Sequence, residues 1–134
     1  MLQDNELLLV PEQPSAKKIV LVVADDERKG TSLVQLISQE TPYIALLTST
    51  GFAALTASSL IKPSLFMVVD QLSDMNVLQL YDQLNSMKEF QAIPFLMLSG
   101  VLPDDTMQQV RILSMGHPFD LDNLLATLDL LLAD

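Results

Sequence analysis

The sequence predicts an α/β fold in which a doubly wound parallel sheet carries helices on both faces. Three observations lead there. The run Ile19-Val20-Leu21-Val22-Val23-Ala24 is apolar without alternation, further short apolar runs recur along the chain, and segments with apolar residues at helical spacing lie between them. A strand that is apolar on both sides is covered on both faces, the usual condition of a parallel sheet, and parallel neighbours require crossover connections. The right-handed crossover rule then makes a doubly wound sheet the natural solution.

The elements follow in order. Met1 to Ala16 combine polar residues, the apolar run Leu7-Leu8-Leu9-Val10 and two prolines, Pro11 and Pro14. Residues 1–16 therefore read as an extended N-terminal arm or linker, whose apolar run is able to dock as an extra edge strand, and 17–134 as the domain. The first strand ends at Asp25-Asp26, and Leu33, Leu36 and Ile37 mark the helix after it. Further strands are expected at Tyr43 to Thr48, Leu65 to Val69 and Phe95 to Leu98, with a poorer fifth at Arg111 to Met115. Leu78, Tyr81 and Leu84 recur at helical spacing behind the potential cap Asn76, and Leu121, Leu124, Leu125, Leu128 and Leu131-Leu132 do so near the end. The methionines at 67, 75, 87, 97, 107 and 115 read as core or loop packing.

With 134 residues, 49% of them hydrophobic, the chain suits one domain with a substantial core. Seven basic against seventeen acidic residues give a formal charge of -10, which repels phosphate backbones and argues against nucleic-acid and anionic-membrane partners. The absence of cysteine rules out disulfides, thiolate metal sites and a cysteine nucleophile, and is compatible with a cytoplasmic location. The Leu7–Val10 run is too short to span a bilayer, and Asp4 and Glu6 before it are the wrong sign for a secretory signal.

In doubly wound sheets the ligand crevice opens beyond the carboxyl ends of the strands. Here those positions are Asp25-Asp26, Val69-Asp70, Ser99-Gly100 and Gly116-His117-Pro118. Two adjacent carboxylates, a third acidic group and a hydroxyl are the oxygen donors that Mg²⁺ and a phosphoryl group take, which makes Asp25 and Asp26 candidate Mg²⁺ ligands and Ser99 a candidate phosphate contact. A solvated strand-to-helix turn is the plainer role of the acidic pair, Ser99-Gly100 is also ordinary loop chemistry, and His117, the only histidine, also reads as structural.

Val23-Ala24-Asp25-Asp26-Glu27 forms an acidic turn, Gly51-Phe52-Ala53-Ala54-Leu55 a glycine before an alanine-leucine segment, Ile93 to Gly100 an apolar run closed by a hydroxyl residue, and His117-Pro118-Phe119 a histidine-proline-phenylalanine step. In this order the four segments resemble the acidic turn, the glycine and alanine-leucine helix start, the fourth strand with its hydroxyl residue, and the lysine-proline-phenylalanine segment of response-regulator receiver domains of two-component and phosphorelay signalling. The resemblance covers roughly Lys17 to the end. It implies a flavodoxin-like five-stranded sheet of order 2-1-3-4-5, a Mg²⁺-assisted aspartyl phosphate at the end of the third strand, and a histidine kinase or other signalling protein as partner. It also implies contacts, including a candidate homodimer, through the face built by the fourth helix, fifth strand and fifth helix (the 4-5-5 face).

The departures concern the chemistry. Pro63 to Leu78 matches the family pattern without a gap, and in that register the phosphoacceptor position is Val69. Asp70 takes that position only with a compensated insertion and deletion, and consecutive strand residues point to opposite faces unless a bulge intervenes. His117 replaces the family lysine, Ser114 stands at the aromatic switch position, Val77 replaces a glycine, and the fourth-helix region is several residues short. The resemblance makes His117 a candidate phosphate contact in the lysine's place, but a histidine is a shorter and conditional cation, so it substitutes poorly for a permanent charge beside a phosphate.

The leading expectation is thus a degenerate, pseudo-receiver domain acting as a phosphorylation-independent protein-interaction module, not an enzyme, for which Mg²⁺ is a candidate cofactor that is not required. The alternative is a working receiver with Asp70 as phosphoacceptor and Mg²⁺ held by Asp25 and Asp26. A third reading, a small-molecule binder on a flavodoxin-like sheet, meets neither a glycine-rich phosphate loop nor a nucleophile-base set in this sequence.

Overall fold

The computed structural model describes residues 18–98, 112–114 and 121–132. The arm, Ser99, His117 and its bond to Pro118, and the ends of the expected fifth strand, Arg111 and Met115, lie outside these residues, and of Ser114 only the backbone is described. Among the described residues five strands are present: β1 Ile19–Ala24, β2 Ile44–Thr48, β3 Leu65–Val69, β4 Phe95–Leu98 and β5 Ile112–Ser114. Four helices join them among the described residues: α1 Glu27–Glu40, α2 Gly51–Ile61, α3 Val77–Asn85 and the terminal α4 Leu121–Leu132, with a 3-10 turn at Lys88–Phe90.

The strands are parallel and ordered β2-β1-β3-β4-β5, the 2-1-3-4-5 arrangement expected. β2 begins at Ile44 instead of Tyr43 because the Tyr43 N–H donates to the Thr41 hydroxyl at 3.1 Å, which keeps it in the turn.

Alternation along the strands divides the core in two. Val20, Val22 and Ala24 of β1, with Leu65, Met67 and Val69 of β3 and Leu96 and Leu98 of β4, pack against Leu33 and Ile37 of α1 and Leu124, Leu128 and Leu132 of α4. Leu21, Val23, Phe66, Val68, Phe95 and Met97 face the other way, towards Ala54 of α2 and Val77, Leu80 and Leu84 of α3. The period of two sends neighbours to opposite covered faces, which is why β1 and β3 read as continuous apolar runs. Phe66 and Phe90 meet edge to face at 6.1 Å, and Tyr81 and Phe95 at 5.5 Å, filling the second layer with the geometry aromatic quadrupoles favour.

Helix starts are local in α1 and α3. The Asp26 carboxylate accepts from the Arg28 N–H, and Asn76 and Gln79 form a reciprocal capping box. At the other end of the sheet the Lys18 ammonium donates to the Leu132 carbonyl at 2.5 Å, placing a cation at the negative end of α4. Among the described residues no helix is long and apolar enough to cross a membrane.

Candidate functional site

The crevice sits above the carboxyl ends of β1, β3 and β4, where Ala24, Val69 and Leu98 lie side by side in register. Each residue that follows them is positioned by a strand end.

Asp26 leaves β1 with extended backbone and turns the chain into α1, its Oδ1 accepting from the Arg28 N–H at 2.9 Å and the Lys29 N–H at 3.4 Å. Asp25 is exposed, and its Oδ1 accepts from the Ser73 hydroxyl at 2.8 Å, which ties the acidic turn to the loop after β3. One oxygen of each carboxylate of the acidic pair is thus engaged by a donor of the protein itself.

Val69 is the last residue of β3 and only 3% exposed, its side chain packed with Ala24 and Leu98 in the layer beneath α1 and α4. Asp70 follows with φ 57°, the left-handed region that aspartate tolerates better than most residues. This turn ends the strand, with the Asp70 N–H reaching the Leu98 carbonyl at 3.4 Å. The Asp70 carboxylate accepts from the Lys29 ammonium at 2.5 Å, a pair between half-exposed side chains one turn into α1. That hydrogen bond, the Asp70 charge and to a smaller degree Asp26 hold Lys29 above its ordinary pKa.

A second carboxylate, Asp74, works at α2. Its two oxygens accept the Gly51 N–H at 3.0 Å and the Phe52 N–H at 2.9 Å, while Thr50 Oγ1 takes the Ala53 N–H at 2.9 Å. Those backbone donors hold the Asp74 carboxyl below its ordinary value. The loop packs closely here: a Cβ on Gly51 would lie 2.7 Å from Met75 Cγ and Sδ.

The Mg²⁺ that the receiver resemblance implies keeps several waters and takes only one or two carboxylates, for which Asp25 and Asp26 are the candidates. Among the described residues no three His, Cys, Asp or Glu side chains are grouped as metal ligands, and the Lys29 ammonium already donates to Asp70. Asp70 is thus engaged by an internal cation, and the carboxylates that would hold Mg²⁺ are Asp25 and Asp26, adjacent and exposed at the end of β1.

Of the expected site residues, the structure brings Asp70 to the Lys29 ammonium, keeps Asp26 at the cap of the same helix, sets Asp25 against Ser73, and puts Val69 beneath them in the core. Ser99 and His117 lie outside the described residues. Lys29 and Ser73 were not anticipated. A basic residue three positions beyond the helix cap, on the turn that overlooks the crevice, is the signal that points to Lys29.

No protein-family model matches the sequence, and no curated protein does. Solved structures match by fold. The Vibrio cholerae chemotaxis protein CheY4 aligns with a TM-score of 0.78 at 18% identity, over 87% of this chain and 100% of that one. The signal receiver domain of a signal transduction histidine kinase from Syntrophus aciditrophicus aligns at 0.77 and 18% identity, over 87% and 90% of the two chains. A CheY-like response regulator receiver domain from Methylobacillus flagellatus aligns at 0.75 and 20% identity, over 87% and 99%. Sheet order, paired layers and these alignments agree: the chain has the fold of a response-regulator receiver domain.

Proposed function

We propose that this chain is a receiver-fold signalling domain, spanning residues 17–134 behind an N-terminal arm, that works as a protein-interaction module without an aspartyl phosphate. The observation that carries the reading is Val69: the residue at the end of the middle strand, where a receiver's phosphoacceptor belongs, is an aliphatic side chain buried in the α1–α4 layer. Methyl groups offer no nucleophile, so the covalent chemistry of the fold has no acceptor at that position. The Lys29–Asp70 pair supports the same reading, because an internal ammonium neutralises the crevice carboxylate that a divalent ion and phosphate would otherwise organise. Signalling then depends on which protein the domain binds, a histidine kinase or another signalling protein, and not on a switch between phosphorylated and free states.

Incubation of the full chain with Mg²⁺ and acetyl phosphate, followed by intact mass and hydroxylamine treatment, tests this. No acyl phosphate is expected. A hydroxylamine-labile phosphate that Asp70→Asn abolishes would overturn the reading and establish Asp70 as a working phosphoacceptor.

A further inference from the structure

From Thr41 to Ile61 the sequence contains no charged residue, in a protein whose charged content is 18% and whose net charge is -10. That stretch is β2 and α2, and among the described residues β2 is an edge strand of the sheet. Edge strands present backbone donors and acceptors to solvent and are ordinarily guarded by charges, proline or bulges. β2 has none of these: its sequence is Ile44-Ala45-Leu46-Leu47-Thr48, paired residue for residue with β1. Because the Ile44 N–H donates to Lys18 on the β1 side, the two-residue period points the N–H groups of Ala45 and Leu47 away from β1, to the open edge. On the α2 side of the sheet Ile44 and Leu46 are 40% and 38% exposed, a pair of large apolar side chains that α2 leaves partly uncovered.

We infer that this edge is the docking site of the protein's own arm, with Leu7-Leu8-Leu9-Val10 adding as a sixth, antiparallel strand beside β2. Four consecutive apolar residues match the length of a five-residue strand, and the prolines that follow favour extended backbone. Connectivity allows it. An antiparallel strand on the outer edge of β2 finishes at the end of the sheet where β1 begins, two strand spacings away, about 10 Å. Eight residues separate Val10 from Ile19, and eight extended residues reach roughly 26 Å, so the connection passes beneath β2 without strain. The arm's alternate side chains then lie over Ile44 and Leu46. Tethering gives the arm an effective concentration on the order of millimolar, whereas a second copy of the chain brings a further charge of -10 to the same edge.

Amide hydrogen exchange on three proteins decides the matter: the full chain, the chain lacking residues 1–16, and the full chain carrying Leu8→Asp and Leu9→Asp. Ala45 and Leu47 are expected to exchange at least about tenfold faster in both variants, with β3 and β4 unchanged, and the full-length protection is expected to be independent of protein concentration. Equal exchange in the full chain and the double variant would overturn the inference, as would protection that fades on dilution together with a dimer by light scattering, which would assign the edge to a second copy. The double variant keeps the test decisive if the shortened chain fails to fold.

Discussion

Helices α1 and α2 flank the same strand, one leading into β2 and the other out of it, yet their surfaces are built on different principles. α1 buries Gly30, Leu33 and Ile37 and turns Glu27, Arg28, Lys29 and Glu40 to solvent. α2 buries only small residues, Gly51, Ala54 and Ser58, and exposes Phe52 and Leu60 at 70% and 78%. Ser58 is satisfied within the helix by the Leu55 carbonyl at 2.8 Å, so it packs as a small residue without an orphaned hydroxyl. An amphipathic helix carries its orientation in its own pattern, whereas one that is apolar all round is oriented by what it meets. The charged crevice thus belongs to α1 and the apolar surface to the β2–α2 side.

The largest test of this contrast sets Ile37→Ala against Phe52→Ala. Ile37 is fully buried, so its truncation is expected to cost about 2–5 kcal/mol, while the exposed Phe52 should stay within about 0.5 kcal/mol of wild type. Urea unfolding measures both, and a comparable loss at Phe52 would show that the outer face of α2 is packed.

Next come the glycines. Gly30→Ala ordinarily gains stability in a helix interior, but here the added Cβ would lie 2.5 Å from Leu47 Cδ1 and 3.0 Å from Ala24 Cβ, where α1 presses on the sheet. A net loss of about 1 kcal/mol or more is expected from overpacking. Gly51→Ala meets only the flexible end of Met75, so its effect on the same measurement should be smaller.

Removing the Asp74 carboxylate is expected to destabilise the protein by about 1 kcal/mol at neutral pH, the ordinary magnitude of a helix cap, or less given its exposure. Because the folded-state value is depressed below 3.8, this contribution is present above that pH and is lost as pH falls through the folded value. The stabilities of wild type and Asp74→Asn should therefore converge in acid, and a difference that persists would assign the effect to packing. The smallest effect is at Lys29, which is raised above 10.5 by Asp70, so its pairing holds below that pH and fades as pH rises through the folded value. An NMR titration of the Lys29 side chain should move back towards ordinary lysine in Asp70→Asn. An unchanged midpoint would mean that the pair is absent in solution.

Much of the architecture was legible because its causes are local. The six-residue run of β1 was visible as it stands, and Asn76 announced α3 three residues ahead of its partner Gln79. The crevice was harder to read. Lys29 and Asp70 are 41 residues apart, Ser73 and Asp25 are 48 apart, and Asp74 caps a helix that starts 23 residues before it. No periodicity reports such pairs, since they exist only once parallel strands have brought their carboxyl ends to one level.

Hydrophobic period and end signals, which act within a few residues, were enough for the strands, for α1, α3 and α4, for the doubly wound class and for Val69 at the close of the third strand, whereas α2, without an amphipathic pattern, showed only through the family resemblance. Tertiary structure decided that the Asp70 backbone turns left-handed and its carboxylate meets Lys29, and that Asp74 secures α2. It also decided that the uncharged stretch from Thr41 to Ile61 falls on an edge. Those outcomes depend on strand order, and strand order is a property of the whole sheet.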